Sequence, residues 1–338
     1  MLSRRTGLKR RRRTIKRIVT KHGYPLCTTK KDIYTINKEL GEEETEEGYN
    51  IHIYSVLDNE LLRIKRKTTT AKTVQSLEKA YINMYNWIKT SENVIFARIC
   101  SDENLNPVAF IVVNNDINNN STDKASKNNE VKKIFQEHGS LCNKSNIEYR
   151  MGKQIGMKEQ MEESEDALYV GFNNKDIIIK KITGGGSPQS HSNNSKDIGK
   201  VFGDIYKEIK FSKKAGNIYV GPRILYSTIC SDKYMKPVGY LVMERIKGHY
   251  LNKKEVQKES NNIHELIDKL YTARINHGDL HNRNIMKGTT ISNPEERIWI
   301  IDYGDANLIS EKDKSGPHYA VSCMSEKYKN GKMKIVYV

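Results

Sequence analysis

Apolar residues in the second half of the chain form short runs that predict strands. The runs Ala167–Phe172 and Asp176–Ile182 are separated by Asn173-Asn174-Lys175, a tripeptide of turn-forming residues. A third apolar run covers Pro237–Met243. The pattern predicts a hairpin and, further along, a strand that leads into the polar segment Glu244–Gly248.

Two other segments show the spacing of amphipathic helices, with apolar residues three or four positions apart. The first segment carries Glu208 beside its apolar stripe, and the second runs directly into His277. The stripe residues are Val201, Phe202, Ile205 and Ile209 in the first segment, and Ile263, Leu266, Ile267, Leu270 and Tyr271 in the second. The order of elements is therefore strand, strand, helix, strand, helix.

Two motifs near the C-terminus carry the candidate chemistry. The run His-Gly-Asp-Leu-His-Asn-Arg-Asn covers His277–Asn284, and eighteen residues after Asn284 comes Asp302-Tyr303-Gly304, at the end of an apolar stretch. They supply Asp279, an Asn five residues later, and a second Asp after a strand. Phosphoryl transfer from ATP needs this set, because one carboxylate accepts the proton of the acceptor hydroxyl while the amide and the other carboxylate hold Mg²⁺ against the phosphates.

With these motifs the sequence resembles the protein-kinase-like superfamily. The resemblance implies ATP and Mg²⁺ as cofactors, Asp279 as the catalytic base, and Asn284 and Asp302 as metal ligands. It also implies a strand lysine that reaches the phosphates and a helix glutamate that pairs with this lysine.

Both of these further residues occur in the expected order. Lys180 ends the apolar run Ile177–Ile179 and is our choice for the ATP lysine. Lys181 is the alternative, because a shift of one residue in strand register exchanges the two faces. Glu208 matches the partner of the lysine, and His277 is interpreted as a structural hydrogen-bonding residue.

The resemblance also implies where a nucleotide would bind. Met243 matches the gatekeeper, and Glu244 and Ile246 lie in a segment similar to the hinge that binds adenine through its backbone. Gly152 and Gly156 stand where a glycine loop is expected. Five carboxylates lie between residues 159 and 166, and they would repel a triphosphate unless this loop folds outward.

The departures from the common kinase pattern indicate an atypical branch. Gly278 stands where an arginine usually precedes the catalytic aspartate, and only 34 residues follow Gly304. The His-Gly-Asp-Leu-His run is similar to the catalytic motif of RIO-type kinases, the KEOPS-complex kinase, and aminoglycoside or choline kinases. We therefore expect a minimal C-lobe.

An internal repeat joins the two halves of the chain. Six residues of the segment Ile99–Val108 are identical to residues of Ile229–Val238, at an offset of 130 positions. The same offset places Glu78 opposite Glu208, and Lys65 ends a run that resembles the one ending in Lys180. The first copy resembles a small lobe without a catalytic loop after it.

The expected fold class is α+β: a protein-kinase-like bilobal fold with a reduced C-lobe, preceded by a degenerate duplicate of the N-lobe. The expected segments are a basic tail over 1–48, the N-lobe-like repeat over 49–114, a polar linker over 115–130, and a kinase-like domain over 131–338, with its N-lobe at 147–246 and its C-lobe at 247–338.

Composition adds an expectation about partners. The chain has 338 residues, 37% of them hydrophobic, and a formal net charge of +16. Nine of the cations lie in the first 17 residues. Residues 4–17 could bind nucleic acid or an acidic partner by counterion release, or act as a nuclear import signal.

The five cysteines contain no Cys-x-x-Cys pair, so we expect them to be reduced and expect no zinc site. No apolar run approaches the roughly 20 residues needed to span a bilayer. We expect a protein of the cytoplasm or nucleus of its cell or host cell. Asparagine- and lysine-rich low complexity would suit the AT-rich genome of a large DNA virus or a parasite, and for a virus, virion association is a further option.

The favoured function is that of an atypical, minimal serine/threonine protein kinase with a protein substrate. The alternatives are a small-molecule kinase, an ATPase module of a tRNA-modifying assembly, and a pseudokinase or scaffold that binds a protein or nucleic-acid partner. Sequence alone leaves the acceptor and the oligomeric state open.

Overall fold

The structure is a computed structural model. The residues that it describes are 24–25, 36–43, 48–56, 59–114, 149–155, 166–184, 194–232, 234–309, 325–329 and 332–336. The basic segment 4–17, the linker 115–130, Gly156 and most of the acidic run after it lie outside the described residues.

The described chain is mixed α+β, which confirms the coarse fold class. Its helices are α1 (Val74–Thr90), α2 (Ser195–Asn217), α3 (Lys253–Lys258) and α4 (Ser260–Thr272), with a 3₁₀ turn at Asn282–Asn284. Its strands are β1 (Tyr24–Pro25), β2 (Ile36–Glu43), β3 (Tyr49–Val56), β4 (Asn59–Thr69), β5 (Val94–Ser101), β6 (Pro107–Asn114), β7 (Arg150–Ile155), β8 (Ala167–Gly171), β9 (Ile177–Ile182), β10 (Ile224–Ser231), β11 (Pro237–Glu244), β12 (Lys247–Tyr250), β13 (Ile275–Asn276), β14 (Ile285–Thr289), β15 (Arg297–Ile300), β16 (Asn307–Leu308), β17 (Ser325–Lys329) and β18 (Lys332–Val336).

Eleven strands form one sheet, in the order β1-β7-β8-β9-β11-β10-β5-β6-β4-β3-β2. Smaller sheets have the orders β12-β14-β15, β13-β16 and β17-β18. None of the helices in the described part of the chain has the length and apolar character that crossing a bilayer requires.

The chain divides into two compact units. The first comprises Met1–Asn173, Lys181–Gly203 and Thr228–Tyr240. The second comprises Asn174–Lys180, Asp204–Ser227 and Leu241–Val338.

The internal repeat is visible in the elements themselves. Strands β5 and β10 cover positions that differ by 130, and so do β6 and β11. In the first unit β5 and β10 pair antiparallel, with Cys100 opposite Cys230. On either side of this pair, Ile99 N–H donates to Ser231 Oγ at 3.0 Å and Ile229 N–H donates to Ser101 Oγ at 2.9 Å. The hydrogen bonds therefore repeat with two-fold symmetry about the cysteine pair.

Cys100 and Cys230 are disulfide-bonded, so the expectation that all five cysteines are reduced is wrong for these two. The reason is the pairing of the two copies, because equivalent residues of the repeat face each other across neighbouring strands. Spacing along the sequence, on which the expectation rested, does not reveal such a cross-strand pair.

Helix α1 packs one face into the core of the first unit. Its N-terminus is fixed by a capping box, in which the Thr73 side chain accepts from Ser76 N–H and the Ser76 side chain accepts from Thr73 N–H. The buried face comprises Leu77, Ala80, Tyr81, Met84, Tyr85 and Ile88. Buried side chains of β3, β4, β5 and β6 form a separate hydrophobic cluster.

The second unit has its own apolar core, which supports the loops of the candidate site. Helix α4 contributes Ile263, Leu266, Ile267 and Leu270 to this core. Strands β14 and β15 pair antiparallel, with Ile285 opposite Ile300, and both of these side chains are fully buried. The residues that flank this pair, at 284 and 301, are therefore held at a fixed position.

Candidate functional site

Three charged residues that are far apart in the sequence meet within the second unit. Lys180 comes from β9, Glu208 from α2, and Asp302 from the loop after β15. Lys180 Nζ lies 2.6 Å from Glu208 Oε1 and 2.7 Å from Asp302 Oδ1. Lys180, the first choice between the two candidate lysines, thus contacts both the predicted helix glutamate and the predicted metal ligand.

Electrostatics keep Lys180 and Asp302 in their ionised forms. Burial by itself lowers the pKa of Lys180, but the two carboxylates more than offset this effect and raise the pKa above its usual value. Burial raises the pKa of Asp302, but the Lys180 ammonium, together with smaller contributions that include a hydrogen bond from the Gly304 backbone, lowers the pKa overall. The Asp302 side chain is 49% exposed, whereas Glu208 is 6% exposed, so Asp302 is the carboxylate that a ligand can reach.

Asp279, the predicted catalytic base, and Asn284, a predicted metal ligand, lie side by side. Asn284 Nδ2 donates to the Asp279 backbone carbonyl at 2.9 Å and lies 3.4 Å from Asp279 Oδ2. His281 Nε2 lies 3.3 Å from the same carboxylate oxygen. Because the amide nitrogen of Asn284 faces Asp279, its Oδ1 atom is the one left as an acceptor for another group.

Backbone pairing brings Asn284 next to Asp302, the other predicted metal ligand. Ile301 N–H donates to the Asn284 carbonyl at 2.9 Å, and Asp302 follows immediately. The two candidate ligands are an amide oxygen and a carboxylate of lowered pKa, which are the oxygen donors that Mg²⁺ prefers. These residues fit the metal that the sequence implies.

Asp302 adopts an unusual backbone conformation, with φ of 68°. This left-handed region is uncommon for residues other than glycine, and such strain is concentrated at functional sites. The next residue, Tyr303, is buried and packs on His277, with ring centroids 4.9 Å apart. The packing of Tyr303 holds the turn that presents Asp302.

His277 contacts the residues on either side of Asp302. It is fully buried, and its Nε2–H donates to the Ile301 carbonyl at 3.0 Å. Burial lowers the pKa of His277, so the ring is neutral, and Nδ1 has no hydrogen-bond partner among the described residues. These contacts agree with a structural role rather than a catalytic one.

A small cavity opens beside the charged cluster. Its walls are formed by Lys180, Glu208, Ser212, Pro222, Ile224, Leu241, Met243, Ile301, Asp302 and Tyr303. Met243, the predicted gatekeeper, is therefore a wall of the same cavity as the lysine and the aspartate.

Some backbone groups of the predicted hinge form hydrogen bonds within the protein. Glu244 N–H donates to the Arg223 carbonyl at 3.0 Å, and Arg245 N–H donates to the Asp176 carbonyl at 2.7 Å. The Glu244 side chain is buried and accepts from the Ser292 hydroxyl at 2.5 Å. Among the predicted adenine contacts, this leaves the Glu244 carbonyl and the Ile246 N–H as the groups to test.

Of the two glycines predicted to form the glycine loop, the structure describes only Gly152. Gly152 lies in β7 of the first unit, where an added Cβ would lie 2.8 Å from the Val170 carbonyl oxygen. Close packing of β7 against β8 is thus sufficient to require glycine there, and a nucleotide contact stays a prediction. Gly156 lies outside the described residues.

Gly278 has a steric and conformational constraint that the sequence pattern did not reveal. Its φ is 81°, and an added Cβ would lie 2.3 Å from the Asp305 carbonyl oxygen. The sequence interpretation treated this position as the loss of an arginine. The structure shows that no side chain fits between the loop of Asp279 and the loop after Asp302.

No family model matches the chain, and no curated protein matches it in sequence.

Proposed function

We propose that the chain is an ATP-dependent phosphotransferase with a protein-kinase-like bilobal fold, acting as an atypical, minimal serine/threonine protein kinase. The observation that carries the proposal is the convergence on Lys180. Its ammonium lies 2.6 Å from Glu208 and 2.7 Å from Asp302, although the three residues come from three separate elements. Such a set orients nucleotide phosphates and holds the metal that accompanies them.

Each residue has a defined part in the proposed reaction. Lys180, held by Glu208, binds phosphate oxygens, and Asn284 with Asp302 would hold Mg²⁺, which neutralises charge on the phosphates when bound. Asp279 orients the acceptor hydroxyl and accepts its proton. The acceptor oxygen forms a bond to the γ-phosphorus as the bond to the ADP oxygen breaks.

The repeat supports the fold proposal. In this proposal β7 to β11 with α2 form the N-lobe, and β3 to β6 with α1 form its degenerate copy. In that copy Lys65 is ion-paired with Glu43, a residue of β2. A lysine committed to this contact suits a copy that supports the fold rather than one that binds phosphates.

Transfer of labelled γ-phosphate from Mg-ATP tests the proposal, with the protein itself, generic basic and acidic proteins, and small hydroxyl compounds as acceptors. We expect label with the wild-type protein and none with Asp279→Asn. A Mg-ATP-dependent rise in Tm without any label from either protein would favour the pseudokinase instead. Label on a small hydroxyl compound but on no protein would favour the small-molecule kinase.

A further inference from the structure

The two copies of the repeat touch through their helices. In the first unit, Tyr81 of α1 stacks on Phe202 of α2, with ring centroids 4.8 Å apart and an interplanar angle of 29°. The Tyr81 hydroxyl also donates to the Met235 carbonyl at 2.9 Å. Both aromatic rings are buried, so this contact is part of a packed core.

Two glycines of α2 allow α1 to come close. A Cβ on Gly199 would lie 2.6 Å from Ile82 Cγ1 and 3.0 Å from the Glu78 carbonyl oxygen. A Cβ on Gly203 would lie 2.0 Å from Glu78 Oε1. Glycine destabilises a helix interior relative to alanine. The two glycines, one turn apart in α2, are explained by the close approach of α1.

The same helix carries Glu208. Helix α2 is continuous over Ser195–Asn217, and Glu208 lies five residues after Gly203 on it. Glu208 is 6% exposed and contacts Lys180 at 2.6 Å, a geometry that a small rotation or shift of the helix would break. Contacts on the first turns of α2 therefore bear on the position of the glutamate that holds the lysine.

We infer that the degenerate copy is a built-in positioning element for the active copy, acting through Ile82 and Tyr81 on α2. The inference rests on the proposed function, since it assigns these residues to the alignment of the Lys180–Glu208 pair. Ile82 and Tyr81 are positioning residues, because they act through the helix and do not touch the reacting groups.

Gly199→Leu tests the inference, because its side chain must displace α1 or tilt α2. Leucine favours a helix more than glycine, so a loss of activity would not reflect a weaker helix. We expect kcat to fall roughly 10- to 100-fold, as a small displacement of aligned groups does, with KM for the acceptor unchanged. Ile82→Ala removes the obstructing side chain, and in Gly199→Leu/Ile82→Ala we expect most of kcat to return.

Lys200→Ala is the matched control, because Lys200 is the exposed neighbour of Gly199 on α2, and it should leave kcat unchanged. An unchanged kcat in Gly199→Leu would overturn the inference. So would a loss of kcat that Ile82→Ala does not restore, since a general folding defect would explain that loss.

Amide hydrogen exchange over residues 204–217 separates failure of this inference from failure of the proposed function. We expect faster exchange in Gly199→Leu than in the wild-type protein, and a return towards the wild-type rate in the double variant. Hydrogen exchange can be measured without catalysis. If the wild-type protein transfers no phosphate, the proposed function is therefore rejected, while the positioning role is still tested by the exchange rates. Unaltered exchange in Gly199→Leu would overturn the positioning role.

Discussion

The backbone N–H of Ile301 donates to the carbonyl of Asn284 at 2.9 Å, and this bond joins the two loops that carry the candidate chemistry. One loop contains Asp279 and Asn284, and the other contains Asp302. Because β14 and β15 pair immediately beyond this bond, the rigid sheet sets the distance between the two candidate metal ligands. The arrangement of the candidate residues therefore depends on a short strand pair, in which β14 follows the first loop and β15 precedes the second.

Replacement of Asp302 by asparagine should weaken Mg²⁺ binding and remove most of the activity. The variant keeps the shape of the side chain and removes the charge that attracts the metal. We expect phosphate transfer to fall by about 100-fold or more, the size of effect seen when one charge-stabilising group is lost. The measurement is transfer rate against Mg²⁺ concentration. A variant with the wild-type metal dependence would show that Asp302 does not bind the metal.

Replacement of Lys180 by methionine should destabilise the protein as well as inactivate it. The change removes the Lys180 ammonium from the buried Glu208 carboxylate, and breaking a buried ion pair in this way costs about 3 kcal/mol of unfolding free energy. In the double variant Lys180→Met/Glu208→Gln, we expect much of the stability to return while activity stays lost. Urea unfolding of the wild-type protein and the variants measures this coupling. Equal stability of the wild-type protein and Lys180→Met would contradict the buried pair.

Stability should fall as pH decreases below the usual pKa of histidine, because of His277. Burial lowers the pKa of His277 from its ordinary value of 6.5, so the unfolded chain takes up a proton before the folded one does. The contribution of His277 is thus fully present above pH 6.5, decreases as pH falls towards the lowered folded pKa, and is constant below it. Urea unfolding at a series of pH values measures the slope.

His277→Asn is the control for this pH dependence. Asparagine can still donate to the Ile301 carbonyl and does not titrate, so the slope just below neutral pH should become flatter. The lowered pKa of Asp302 gives a loss of stability only in acid, at a pH below the ordinary value of 3.8 for its carboxyl group. An unaltered slope near neutral pH in His277→Asn would assign the effect to another group.

Reduction of the Cys100–Cys230 disulfide should lower Tm without a change in secondary structure. The bond closes a loop on the order of 130 residues, and the chain-entropy model gives an upper value of about 5 kcal/mol for such a loop. Non-reducing peptide mapping should find the two cysteines in one linked peptide. Cys100→Ser should lose the effect of reductant on Tm, whereas Cys142→Ser should keep it. Two free thiols in the untreated protein would contradict the bond.

The hydrophobic pattern predicted much of what surrounds the candidate site. The predicted strand Ala167–Phe172 corresponds to β8 at Ala167–Gly171, and Pro237–Met243 corresponds to β11 at Pro237–Glu244. These elements could be predicted because their local patterns are strong and turn residues bound them. The pairing of Lys180 with Glu208 was implied by the resemblance to kinases, without any information on distance.

Other features depend on contacts between segments that are distant in sequence. Gly199 and Gly278 look like ordinary helix or loop glycines until Ile82 and the Asp305 carbonyl are placed against them. The disulfide depends on the antiparallel pairing of β5 with β10, although the repeat had already aligned the two cysteines. Local sequence preference carries no information on such pairings, because they arise from tertiary packing.

The most direct test of the central claim compares single-turnover transfer of γ-phosphate by Asp279→Asn and by Asp268→Asn. Asp268 is an exposed aspartate of α4, so its variant controls for the loss of one negative charge. We expect Asp268→Asn to transfer phosphate at the wild-type rate and Asp279→Asn to be at least about 100-fold slower, with Mg-ATP still raising the Tm of both. Equal transfer rates for the two variants would contradict the role of Asp279, and no transfer by the wild-type protein to any acceptor would contradict the phosphotransferase itself.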